Sequence, residues 1–189
     1  SFVAIFEAFL GLLGFAIATG LFYGRFSRPR AYLKFSETAV VAPFEEGSAI
    51  MFRVASYKNN MLSEAEVNIT AAIEENIDGK LVSKFYQIEP TLKKINSFSL
   101  NWTLVHKIDS NSPFYGFSED DFKNTDIELI IMIKAFDEVF ANTVVQRTSY
   151  ITPEIVYGAR FLPMYHSSED NKTMILDLDK IDDYQVVKT

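Results

Sequence analysis

Residues 2–24 (FVAIFEAFLGLLGFAIATGLFYG) form an apolar run of 23 residues in which Glu7 is the only charge. As a helix this run is roughly 34 Å long at ~1.5 Å per residue, against a bilayer core of ~30 Å. It is apolar on every side, which a helix buried in a soluble protein rarely sustains over such a length. No basic segment precedes it, and it is longer than the apolar region of a secretory signal, so it reads as a membrane span. Arg25, Arg28, Arg30 and Lys34 follow at once, whereas 24 of the 25 acids lie beyond Ser36. The two parts of the chain therefore belong in different solvents, and the positive-inside bias puts everything after Gly24 in the cytoplasm. Pro29 cannot continue the helix and sets its end near Ser27.

Inside the span, Gly11, Gly14 and Ala18 offer a surface on which another helix can approach closely, although glycine also marks bends. Phe15, Thr19 and Tyr23 recur every four residues and share one face. On a lone anchor that face meets lipid, with Tyr23 in the interfacial aromatic belt. In a tetrameric pore the same face lines the conduction path, with Tyr23 as its constriction. Periodicity does not separate these readings. Arg25, Arg28 and Arg30 likewise serve either as topological anchors or as ligands for anionic headgroups, whose phosphates suit the guanidinium fork.

Beyond Ala31 the pattern changes to short runs rich in Val, Ile, Phe, Thr and Tyr. Strands are expected over 38–42, 48–56, 64–73, 81–87, 98–108, 127–136, 143–151, 158–165 and 174–177. Turn residues separate them, among them Pro43 with Gly47, Asp78-Gly79, Ser112-Pro113 with Gly116, and Ala141-Asn142. One short helix is expected over 118–124, because Ser118 can cap it and Glu119, Asp120 and Asp121 suit its positive end. The expected organisation is a transmembrane helix over 1–27, a basic linker over 28–36 and an immunoglobulin-like β-sandwich over 37–189, a mainly β chain.

The net charge of −7 argues against nucleic-acid binding, and the lack of cysteine excludes disulfides and thiolate chemistry. Only two histidines are present. His106 lies in an apolar stretch and reads as a hydrogen-bonded core residue, and His166 precedes a polar turn and reads as solvated. No phosphate-binding loop, GxSxG or HExxH motif occurs. Asp137-Glu138 reads as a turn rather than an acid–base pair. The chain is therefore expected not to be an enzyme and to need no cofactor.

Several stretches, in order, resemble the bacterial inward-rectifier potassium channels (the KirBac group) and their eukaryotic relatives. These are GLFYGRFSRPRA at 20–31, FSETAVV at 35–41, FRVASYKNNMLSEA at 52–65, and YGARF at 157–161. The most specific is WTLVHKIDSNSPFYG at 102–116, which carries the family's H-x-I-D-x-x-S-P-[LF]-[YF]-G pattern. The resemblance implies a homotetramer in the cell (inner) membrane that passes potassium ions, with the β-sandwich extending the ion path in the cytoplasm. Tyr23 falls where the family keeps a bulky gate residue. Phe15 falls where strongly rectifying relatives carry an acid, a role phenylalanine cannot fill. Glu64 matches a carboxylate facing the cytoplasmic pore, and Lys134 stands at a second pore-facing position that is acidic in many relatives. Arg25, Arg28 and Arg30 match the basic linker that meets phosphoinositide headgroups. No T-V-G-Y-G-like filter occurs in these residues, so the chain reads as a channel fragment that does not by itself select potassium. The rival reading is a singly anchored immunoglobulin-like binding module without a pore.

Overall fold

The computed structural model describes residues 2–26, 30–58, 61–98 and 100–187, and the chain divides into two compact units, Ser1–Arg30 and Ala31–Thr189. The first unit is a helix, α1 (Phe2–Phe26), with no buried side chain. Its apolar surface is left wholly for lipid or other protein to cover. Pro29 and Ser27, expected to end the helix, lie outside the described residues, as does Arg28.

The second unit is a β-sandwich of two five-stranded sheets. The first sheet is built on β3 (Gly47–Ser56), one edge of which pairs along its length with β7 (Asn101–Ile108). Its other edge is shared end to end by β2 (Ala39–Phe44) and β1 (Leu33–Phe35), both antiparallel. The edge strand β10 (Ile155–Tyr157) joins β2 in parallel. The second sheet repeats this plan on the long strand β4 (Leu62–Ile77), which pairs on one edge with β8 (Ile127–Asp137). On its other edge lie β5 (Lys80–Ile88) and β6 (Lys94–Phe98), and β9 (Asn142–Ile151) completes the sheet beyond β8. The β4–β5 hairpin turns at Asp78-Gly79, both with positive φ (51° and 79°), the mirror-image turn for which Asp-Gly is suited.

The core lies between the sheets. Val67, Ile69, Ala71 and Ile73 of β4 alternate inward, as do Ile127, Leu129, Ile131 and Ile133 of β8. They meet Ile50, Phe52, Trp102 and Leu104 of the opposite sheet in one continuous cluster. Strict period-two burial is what a sheet with one wet face requires. Helix α2 (Glu119–Asn124) closes one end. Ser118 caps it reciprocally with Asp121: the Asp121 amide donates to Ser118 Oγ at 3.2 Å, and the Ser118 amide donates to Asp121 Oδ2 at 2.7 Å. Phe122, 2% exposed, stacks on Phe114 at 5.5 Å and lies 5.7 Å from Tyr157.

The run 98–108, expected as one strand, is two. Phe98 ends β6 in the second sheet and Asn101 opens β7 in the first. No glycine or proline marks this crossing, so the apolar pattern runs through it. The expected strand 158–165 is also divided, into β11 (Ala159–Phe161) and β12 (Tyr165–Ser167). Pro163, which has no N–H to give a ladder, stands between them. β11 pairs with β14 (Tyr184–Val186), and β12 pairs with β13 (Met174–Leu176). Within the stretch whose charge suggests a linker lies β1, a strand of the first sheet, and Leu33 on it is 2% exposed.

Side chains from the second sheet complete the bonding of β1 and the residue after it. The Gln146 amide accepts from Leu33 N–H at 3.0 Å and donates to the Leu33 carbonyl, so it acts as a strand partner. Tyr150 donates its hydroxyl to the Ser36 carbonyl at 2.9 Å, and Ser36 Oγ accepts from the Arg53 amide at 3.0 Å while donating to the Thr38 carbonyl at 2.8 Å. Burial raises the Tyr150 phenol well above its usual pKa, so it remains a donor throughout the working range. We expect Tyr150→Phe to cost about 1–3 kcal/mol, because it leaves the Ser36 carbonyl buried without this donor. The denaturant midpoint of the detergent-solubilised chain measures it.

Candidate functional site

On α1, residues Phe15, Thr19 and Tyr23 follow one another at helical spacing, and Phe15 and Tyr23 are 71% and 74% exposed. A Cβ placed on Gly11, Gly14, Gly20 or Gly24 meets nothing within 4 Å. Arg25 stands in the last turn, where a cation complements the helix dipole. Arg30 is exposed, and among the described residues neither arginine forms an ion pair.

Glu64 occupies a special place in the backbone. The β4–β8 register shifts between Ser63 and Glu66, so that Glu64 and Ala65 together stand opposite Ala135. Glu64 takes φ +49° to accommodate the extra residue. Without the bulge, simple alternation could not bury both Leu62 and Ala65, and with it both point inward. The same device turns the Glu64 carboxylate outward, where it is exposed and lies 3.4 Å from Lys94 Nζ.

Around the bulge the outer face of the second sheet carries a mixed patch. Glu66 stands directly opposite Lys94 on β6 and Lys134 on β8. Lys134 is exposed. Two carboxylates, Glu64 and Glu66, thus face two ammonium groups, Lys94 and Lys134, with no net charge. Next along the face, Asn68 lies opposite Met132, which lies opposite Arg147. Both Glu64 and Lys134, singled out in the sequence, fall on this patch. Lys94 and Glu66 were not singled out. Strand β6 escapes sequence reasoning because only Ile95 and Phe98 of it turn inward, at a spacing of three. The alternation Glu64-x-Glu66 is visible in the sequence, but the lysines that face it are placed only by strand register.

His106 takes the core position expected of it. Its Nδ1 lies 2.8 Å from the Glu89 carbonyl and its Nε2 lies 2.8 Å from Ser112 Oγ. Burial in an apolar surrounding holds its pKa below the usual 6.5, opposed by the Glu89 bond and the Asp109 charge. His166 is exposed on β12, and Asp137 caps a turn, with its Oδ1 accepting from the amides of Val139 at 2.9 Å and Phe140 at 3.1 Å. Among the described residues no group of three or more His, Asp or Glu is placed to hold a metal ion.

Residues 33–189 match the family described as the inward rectifier potassium channel C-terminal domain. The inward rectifier potassium channel Kirbac3.1 of Paramagnetospirillum magnetotacticum is 33% identical over 175 residues, covering 92% of this chain and 59% of that protein. Inward rectifier potassium channel irk-1 of Caenorhabditis elegans is 24% identical over 196 residues, 99% of this chain and 36% of that protein. The chain therefore spans less than two thirds of either relative. Among solved structures, the sporulation control protein Spo0M of Bacillus subtilis overlaps at a TM-score of 0.31 and 9% identity, over 66% of this chain and 49% of that one. So slight a likeness carries no argument.

The bulge makes a prediction that separates backbone from charge. Relief of the left-handed strain outweighs the added freedom of the unfolded chain, so Glu64→Gly should leave stability unchanged or raise it by up to about 1 kcal/mol. Glu64→Val, β-branched at a positive φ, should lower it. Urea midpoints of the two variants check the order.

Proposed function

We propose, because the chain belongs to the inward rectifier potassium channel family, that it supplies the inner pore helix and the cytoplasmic domain of one subunit of a homotetrameric potassium channel. The observation that carries the reading is the sequence of parts: an apolar helix with no buried residue leads at once into the family's domain. The basic residues after the span set the orientation, with the sandwich on the cytoplasmic side of the cell membrane.

In this reading four copies of α1 converge on one axis, and their glycine faces permit close approach. Phe15, Thr19 and Tyr23 line the path, and Tyr23 is the bulky constriction at its inner end. Phe15 offers no charge to hold a multivalent cation, so strong block from that position is not expected. The outer face of the second sheet turns toward the axis and brings four copies of Glu64 and Lys134 around the ion path. With Glu66 and Lys94 beside them the patch is balanced, and it attracts cations less than a ring of acids alone. Arg25, Arg28 and Arg30 meet anionic lipid headgroups, phosphoinositides among them, at the cytoplasmic surface.

Light scattering of the detergent-solubilised chain, with the detergent subtracted, should give a protein mass of four times 21.5 kDa. A stable monomer at high concentration would overturn the pore reading in favour of an anchored binding module. For the lipid contact, a soluble inositol phosphate headgroup titrated against the same sample should bind about fivefold more weakly for each of Arg25→Gln and Arg30→Gln, at ~1 kcal/mol per arginine. Unchanged affinity in both would remove the headgroup role from these residues.

A further inference from the structure

His106 sits at the junction of three segments. It is on β7, its Nδ1 reaches the carbonyl of Glu89 in the β5–β6 turn, and its Nε2 reaches Ser112 in the loop that follows β7. A carbonyl only accepts, so Nδ1 carries the proton and Nε2 of the neutral ring accepts from the Ser112 hydroxyl. Ser112 Oγ in turn accepts from the Phe114 amide at 3.2 Å. The result is a one-directional chain, Phe114 N–H to Ser112 O–H to His106 to the Glu89 carbonyl, with every group satisfied. The ring is 6% exposed, and beside it runs a groove of about 470 Å³ walled by the same two segments, including Pro90, Thr91, Asp109 and Asn111.

We propose that His106 is an acid-sensitive staple, whose protonation at Nε2 loosens the 109–113 turn from β7 while the Nδ1 bond to the Glu89 carbonyl stays, and so opens the groove on the Ser112 side. A proton added at Nε2 turns an acceptor into a donor. Ser112 Oγ must then accept from both His106 and Phe114, and its own proton loses the nitrogen that now takes it. The groove gives water a route to the ring, as a titrating group needs.

The charges around the ring do not cancel this response. Asp109 favours the imidazolium, but its Oδ1 also accepts from the Asn111 amide at 2.9 Å. The Glu89 carboxylate is paired with Lys93 at 3.4 Å, and Lys107 with Glu45 at 2.5 Å. Desolvation dominates, so the neutral ring is the form the fold holds, and the staple loosens as pH falls through the His106 midpoint, which burial holds below the ordinary histidine value. Phe114, wholly buried and stacked on Phe122, stays packed, and the opening is therefore local. This inference does not depend on the pore reading.

The test uses the full chain in detergent, with carbon-13 histidine resonances followed against pH and amide exchange corrected for its intrinsic pH dependence. Protection of 109–114 should fall roughly tenfold in step with the titration of His106, the equivalent of one lost hydrogen bond. His106→Gln should make that protection independent of pH. Ser112→Ala, which removes the donor to the neutral ring, should move the His106 midpoint upward with the fold intact. Loss of protection that persists in His106→Gln, a His106 that fails to titrate before the sandwich unfolds, or a midpoint unmoved in Ser112→Ala would each overturn the proposal.

Discussion

The backbone of residues 33–36 is completed by side chains from the other sheet. Gln146 closes both polar groups of Leu33, and Tyr150 donates to the carbonyl of Ser36. A short edge strand at the very start of a domain would ordinarily fray, because three ladder pairs hold it. Here its groups are held by a residue 113 positions away. The position of β9 and the position of the domain's first strand are therefore one variable. This strand also stands where the backbone enters the second unit, which begins at Ala31.

A similar economy governs the far end of the chain. Arg53 on β3 is 7% exposed, donates to the carbonyls of Leu162 and Lys180, and lies 4.5 Å from the Phe161 ring centroid. Desolvation depresses its pKa, and the charges of Tyr165, Asp183 and Asp182 offset part of that cost. Ala55, Met164 and Ile181 bury together beneath the same segment. The C-terminal residues, whose strands are three residues each, thus take their place from a cation and a small apolar cluster rather than from extensive sheet pairing.

Where the sequence was legible, one physical period dominated. The long apolar helix, strands β4, β8 and β9, the Asp-Gly hairpin and the Ser118 cap all follow from periodicity or from local turn chemistry. What escaped it depended on contacts between distant residues. Strand β1 is too short to show alternation, and Gln146 closes the polar groups of Leu33 that its ladder with β3 leaves free. The crossing after Phe98 has no breaker residue and shows only in the pairing of β6 with β4 and of β7 with β3. Lys94 belongs to the charged patch only through the register of β6 against β4. Glu64 was legible as a carboxylate and illegible as a bulge, because no pattern within residues 62–66 announces a positive φ on a glutamate. The balance of charge on that face accordingly had to be read from pairing, whereas the family likeness of the stretch around His106 was plain from its letters.

The parallel pairing of β10 with β2 has a consequence for the order in which the molecule is made. Strand β2 leaves the ribosome early, yet its partner Ile155–Tyr157 follows more than a hundred residues later. The Ser36–Tyr150 bond waits equally long, with 114 residues between its ends. At 5–20 residues per second that interval is on the order of ten seconds. Throughout it the apolar helix is already complete and ready for the bilayer, while the first sheet has an open edge. The sandwich is therefore sealed only after the apolar helix that precedes it in the chain has been made in full.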